Sequence, residues 1–177
     1  PALVIPVVLY ILLKDRSYDT KRFSMIYYAL AGLYLYSLTH KFADFASFNE
    51  AGQFVVHVSS LPFHLCNTAL YVTPICLILK AKKVFYFTYF INVLGAFLAI
   101  AMPDYNLEGL NGTFIMHDTV LFFRSHYQAF FMPLLVVGLG IFDRPRIKEF
   151  KYSLVGFAGY YLFVLIVNGW FTNYDPN

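Results

Sequence analysis

The chain has 177 residues, 59% of them hydrophobic, 20% aromatic and only 13% charged, with a formal net charge of +3. Soluble domains carry about 25% charged residues, so this composition excludes a disordered chain, a soluble globular enzyme and a nucleic-acid binder that works through a basic face. It predicts an all-α fold, a polytopic transmembrane helical bundle.

Backbone groups in lipid must be satisfied within a helix or a closed barrel. The stretches 23–40, 51–79, 84–102, 125–142 and 152–174 contain no Asp, Glu, Lys or Arg. Each reaches the roughly 17–25 residues that a crossing helix needs. They are continuously apolar, which argues against the alternating strands of a barrel. In chain order, the first helix ends near Leu13; because residues 1–13 are short for a span, it is expected to begin before Pro1. The second runs from about Phe23 to His40, followed by a short polar link at 41–52. The third lies in the charge-free stretch up to residue 79 and carries Pro62 and Pro74, which are expected to distort it. The fourth, about 84–102, stops at Met102-Pro103-Asp104, before an irregular loop at 103–118. The fifth, about 119–142, carries Pro133, and the sixth covers about 152–172. Residues 1–177 thus read as a single transmembrane helical domain, six visible helices with a seventh suspected missing and both ends expected to be truncated. Gly156 and Gly159, or Gly138 and Gly140, read as packing points between helices.

Orientation follows from the basic residues. Lys14, Arg16, Lys21 and Arg22 lie in the first connection, Lys80, Lys82 and Lys83 in the third, and Arg144, Arg146, Lys148 and Lys151 in the fifth. Short basic loops stay in the cytoplasm, so these alternate loops are assigned there and the others outside. The chain is therefore expected to be an integral membrane protein. Its abundance of Phe, Tyr, Ile, Lys and Asn suits an AT-rich bacterial genome and hence a bacterial cell membrane.

Polar groups inside spanning helices need a partner or a purpose. Counted at 1.5 Å per residue from the basic clusters, His40, Cys66, His126 and Asn168 fall at about 21–27 Å, nearly one depth. His64, Asn67, Arg124, Ser125, Gln128 and Asn173 cluster around them. Cys66 and His126 are the candidate reactive pair, since a thiol attacks acyl carbonyls as its thiolate and an imidazole in reach takes its proton. Asn168 lies at a depth suited to orienting that imidazole. The alternative is that both simply pack as a small apolar group and a satisfied polar one. Arg124 either snorkels to the outer headgroups or clamps a lipid phosphate or carboxylate with its guanidinium fork. His64 and Cys66, like Arg124 and His126, are two apart, so an ideal helix aims the members of each pair to nearly opposite sides. No short-spaced His/Cys motif signals a metal, and no metal or other cofactor is expected. Cys66 and Cys76 lie ten residues apart, about 15 Å along one helix, too far for a disulfide. Cys76, among Ile75, Leu77 and Ile78, reads as a small packed hydrophobe.

Three segments carry a resemblance. Leu61-Pro-Phe-His64-Leu-Cys66-Asn67, Phe122-Phe-Arg124-Ser125-His126, and Asn168 followed by Thr172-Asn173-Tyr174 resemble, in order and spacing, the signatures of the YwaF family of integral membrane proteins. That family includes the transmembrane protein 164 acyltransferase, and looks distantly related to membrane hydrolases of fatty acid esters of hydroxy fatty acids. The resemblance implies a lipid acyltransferase or acyl hydrolase with Cys66 as nucleophile and His126 as base. It makes His64, Asn67, Arg124, Asn168 and Asn173 supporting or lipid-binding positions. Membrane lipids are the expected substrate or ligand. The alternative is a non-catalytic lipid- or small-solute-binding membrane protein, a permease or the subunit of a larger complex.

Overall fold

The computed structural model describes residues 4–39, 46–56, 68–103 and 117–172. The helices start and stop where the local chemistry says they should. After α1 (Val4–Leu13), Ser17 opens α2 (Tyr18–Thr39) by accepting the Thr20 backbone N–H on its hydroxyl at 3.3 Å. This is the bond by which a serine at a helix start satisfies an orphan donor. Helix α3 (Thr68–Leu79) ends with Lys80 in the left-handed region, φ 53°, and the Ala81 N–H reaching back to the Cys76 carbonyl at 2.9 Å. Helix α4 (Lys82–Ala101) follows at once. Helix α5 (His117–Gly138) closes in the same way, with Gly140 at φ 72° and the Ile141 N–H on the Val136 carbonyl at 3.0 Å. Such a six-to-one bond around a left-handed residue satisfies the last carbonyls of a helix. A 3-10 turn at Ile147–Glu149, where the Glu149 carboxylate accepts the Arg146 N–H, leads into α6 (Phe150–Phe171).

The charge-free stretch 51–79 is not one helix. Its beginning belongs to a two-stranded antiparallel hairpin, β1 (Ala46–Phe48) with β2 (Phe54–Val56), in register Phe48 to Phe54. The Asn49 side chain organises the turn by accepting the N–H groups of Ala51 and Gln53 at 3.0 and 2.9 Å. Residues 46–52 are therefore more than a link, and the third helix is described from Thr68 to Leu79; Pro62 lies outside the described residues. Absence of charge does not separate a strand from a helix. Helices α3 and α5 continue through Pro74 and Pro133, each of which removes one ladder hydrogen bond. Three described helices are long and apolar enough to cross a membrane: α4, most of α5, and α6 with the turn before it. Helix α2 has 22 residues, but Asp19, Lys21, Arg22 and a run of tyrosines dilute its hydropathy. Helices α1 and α3 are shorter apolar segments of 10 and 12 residues.

Helix α5 packs against α1, α2, α3 and α4, while α6 docks on α4. The main core joins Leu13, Met25, Cys76, Leu77, Phe85, Val136 and Phe142. These residues flank the turns after α1, α3 and α5, so the three basic connections lie at one end of the bundle, as their alternation predicts. Cys76 is a buried free thiol within this core. Contacts between the connections tie that end together: Lys80 lies 5.9 Å from the Tyr18 ring, Lys83 lies 5.8 Å from the Tyr152 ring, and Lys82 pairs with Asp143. The hydrogen bond and charge of Lys82 hold the Asp143 carboxyl below its ordinary value. A carboxylate depressed in the folded state adds stability above its unfolded value and loses it as pH falls through the folded one. Asp143→Asn is therefore expected to lower the melting temperature slightly at neutral pH, both partners being exposed. The gap from wild type should close in acid and shrink with added salt, as read by thermal denaturation across a pH series.

Away from the basic end the packing narrows. Ala69 of α3, Ala96 of α4 and Ala129 of α5 form a second buried cluster, and small residues let helices approach closely. Gly156 does the same for α6: a Cβ there would stand 2.7 Å from the Phe87 ring, whereas one at Gly159 would meet nothing. Ser153 adds a clamp by donating its hydroxyl to the Tyr86 carbonyl at 2.9 Å. The other face of α6, including Leu154, Val155, Leu162, Ile166 and Trp170, is exposed, as suits a helix that faces lipid.

Candidate functional site

The N-terminal half of α5 carries Arg124 and His126 of the second sequence signature on two different faces. His126 is 7% exposed. It stands one turn before Ala129 and so belongs to the face that meets α3 and α4. Its Nδ1 lies 2.7 Å from the Phe122 carbonyl. A carbonyl only accepts, so Nδ1 carries the proton, and in the neutral ring Nε2 holds the lone pair. The Phe122 ring packs on the imidazole, centroids 4.2 Å apart, and the Ser125 hydroxyl donates to the same Phe122 carbonyl at 2.9 Å. The Phe122, Ser125 and His126 positions of the signature thus form one local unit that fixes the orientation and tautomer of the ring.

Arg124 is turned about 200° around the helix from His126 and faces α2. Its guanidinium donates to the Gly32 carbonyl at 2.7 Å. One turn on, the Gln128 amide approaches the Tyr28 carbonyl at 3.5 Å. A Cβ at Gly32 would stand 1.8 Å from the Gln128 amide, so the glycine lets that side chain lie against α2. The conflict between residues two apart is resolved because α5 has neighbours on both sides: His126 faces inward toward α3 and α4, and Arg124 faces inward toward α2. Arg124 is part-buried and bonded across to another helix, which differs from a simple reach to the headgroups.

Asn168 lies half-buried on α6, the helix that packs on α4. Its backbone carbonyl accepts the Thr172 hydroxyl at 2.6 Å; His126 donates from Nδ1 to the Phe122 carbonyl. Cys66, His64, Asn67, Asn173 and His40 lie outside the described residues. No three His, Cys, Asp or Glu side chains converge as a metal site among the described residues. Counting polar groups at a single depth passed over the middle of α4. Asn92 there is 1% exposed, and Thr88 on the same face donates to the Phe85 carbonyl at 2.8 Å. The signal was present, since Asn92 is a polar group inside the charge-free stretch 84–102.

No curated protein and no solved structure matches the chain. The family description that does match, the TMEM164 family, covers residues 2–175, which includes all three sequence signatures and every helix described above. Together with three helices able to span a bilayer, this makes the protein an integral membrane protein, and the chain belongs to the TMEM164 family.

Proposed function

We propose that the protein is a membrane-embedded lipid acyltransferase or acyl hydrolase that uses Cys66 as nucleophile and His126 as base. The site opens toward the outer leaflet, with the basic connections on the cytoplasmic side of a bacterial cell membrane. The observation that carries this reading is the placement of His126, buried on the face of α5 that meets α3 and α4, with its Nδ1 2.7 Å from the Phe122 carbonyl; a proton on Nδ1 makes Nε2 the basic nitrogen. A second one supports it. Ala69, three residues after Cys66 in sequence, clusters with Ala129, three residues after His126.

In the proposed reaction, Nε2 of His126 takes the Cys66 thiol proton as the sulfur attacks the acyl carbonyl carbon. The ester C–O bond breaks, and the leaving alcohol takes the proton back from the imidazolium, leaving a thioester on Cys66. A lysolipid hydroxyl or a water then attacks the thioester, losing its proton to Nε2. The C–S bond breaks and the proton returns to sulfur. His64, Asn67, Asn168 and Asn173 are proposed to hold the carbonyl oxygen or the lipid head. Water access decides between transfer and hydrolysis.

The test is turnover by the full chain in vesicles containing an acyl-labelled phospholipid and a lysolipid acceptor. Label is expected to move to the acceptor or appear as free fatty acid, and Cys66→Ala should remove both. Undiminished turnover in Cys66→Ala would refute the reading. The second reading, a lipid-binding protein without chemistry, draws on the part-buried Arg124 guanidinium, which would serve as the anion contact. It predicts lipid binding with no product at all.

A further inference from the structure

Between α1, α2 and α5 lies a cleft of about 620 Å³, within the roughly 300–1,000 Å³ of small-molecule pockets. One stripe of α5 lines it, with Val120, Phe123, Tyr127 and Phe131 supplying apolar and aromatic surface, and Ile5 and Pro6 of α1 closing the far wall. Among the described residues that line it, Arg124 is the only cation. A guanidinium has five N–H donors in a fork suited to carboxylate or phosphate. Here it makes one hydrogen bond, to Gly32, and among the described residues it has no carboxylate partner. A second polar group in the same wall is also unspent. Thr119 is 2% exposed, and its hydroxyl has no hydrogen-bond partner among the described residues. A cation in a spanning helix is expensive without a counter-charge, and a buried hydroxyl without a partner is costly too.

We propose that this cleft is a second lipid site, separate from the chemistry at His126, which takes a single-chain amphiphile with an anionic head. The head sits on Arg124 and Thr119, and the chain runs along α5 past Tyr127 toward Phe131 and Pro6, in the direction of the basic end. Size favours one chain. At about 30 Å³ per water-sized group, the cleft holds about twenty such groups, enough for one long acyl chain and its head and too few for a two-chain phospholipid. Charge favours an anion, and a fatty carboxylate and a lysolipid phosphate share that chemistry. Because Arg124 and His126 lie on opposite faces of α5, an amphiphile held here does not present its head to the Nε2 of His126. The site therefore stands or falls apart from the acyl chemistry.

The test is photo-crosslinking of the full chain in phosphatidylcholine nanodiscs with a diazirine-bearing palmitate, followed by peptide mapping. Label is expected on peptides containing Ala31 and Phe123–Phe131. Excess palmitate or palmitoyl lysophosphatidate should compete, whereas monopalmitoylglycerol, with the same chain and no charge, should not. Competition by palmitate alone identifies a carboxylate head, and by lysophosphatidate alone a phosphate head; either supports the site. Arg124→Gln should cut labelling about tenfold or more, the worth of a charge-assisted hydrogen bond. Ala31→Phe, which narrows the cleft from its α2 wall with Arg124 intact, should do the same and keeps the test available if Arg124→Gln does not fold. Labelling elsewhere, equal labelling in both variants, or equal competition by the neutral lipid would overturn the proposal. The assay reads no turnover, so its failure and that of the acyl chemistry are distinguishable.

Discussion

His126→Ala is expected to lower acyl turnover by about 10²–10⁴-fold, the usual contribution of a positioned acid–base group, with a smaller loss of thermal stability than the Phe85 substitution below. Part of what surrounds the ring stays satisfied without it. The Phe122 carbonyl keeps the Ser125 hydroxyl as a donor, and the close helix contact one turn away is made by Ala129 with Ala69 and Ala96. Cys66→Ala should lose turnover similarly, and the double variant should be little worse than either single one, because residues that act as a unit are not additive. Cys76→Ala serves as the control. Its thiol is packed in the core beside Leu77, so turnover should survive. Parallel turnover and melting measurements on the four variants check all of this. A His126→Ala protein that turns over normally would remove the imidazole from the mechanism.

The second large effect is the reverse, a loss of stability without a loss of chemistry. Phe85→Ala is expected to destabilise the bundle by about 3–5 kcal/mol. Phe85 is fully buried where the start of α4 meets the end of α5, with its ring 4.9 Å from that of Phe142 and 6.2 Å from that of Tyr89. In lipid the hydrophobic effect does little to join helices, and packing carries the association. An emptied ring site loses those dispersion contacts outright. Phe85 lies at the basic end, and His126 lies beyond Ala129 in the other half. The fraction of Phe85→Ala that remains folded should therefore keep its turnover per molecule. Equilibrium unfolding in mixed micelles reads the first quantity, and activity normalised to folded protein reads the second.

These two residues also show what a sequence can and cannot convey about this fold. Alternation of basic connections was enough to place Lys14, Lys80 and Arg144 at one end, because charge near a span end is a strong, local signal. The end of α1 and the bounds of α4 and α6 followed from the same logic to within a few residues. The hairpin at Ala46–Val56 was missed because a charge-free criterion has no period in it, although Asn49, Gly52 and the β-branched Val55-Val56 are turn and strand signals. The faces of α5 were half legible. Helical spacing separates Arg124 from His126, but only the positions of α2 on one side and α3 and α4 on the other make both faces interior. The hydrogen bond from His126 to Phe122 and the cleft beside Arg124 were not legible. The first depends on a rotamer, and the second depends on a gap between three helices distant in sequence. Asn92 was legible as a polar group within a charge-free stretch, but it lies at a different depth from the polar layer.

The most direct test of the proposed chemistry is a search for the thioester itself. The full chain is mixed briefly with a phospholipid, denatured in acid and analysed by intact mass and peptide mapping. The account predicts one added acyl chain on the peptide that contains Cys66, released by hydroxylamine at neutral pH, absent in Cys66→Ala and retained in Cys76→Ala. Full turnover with no acyl group on Cys66 at any time point would contradict it.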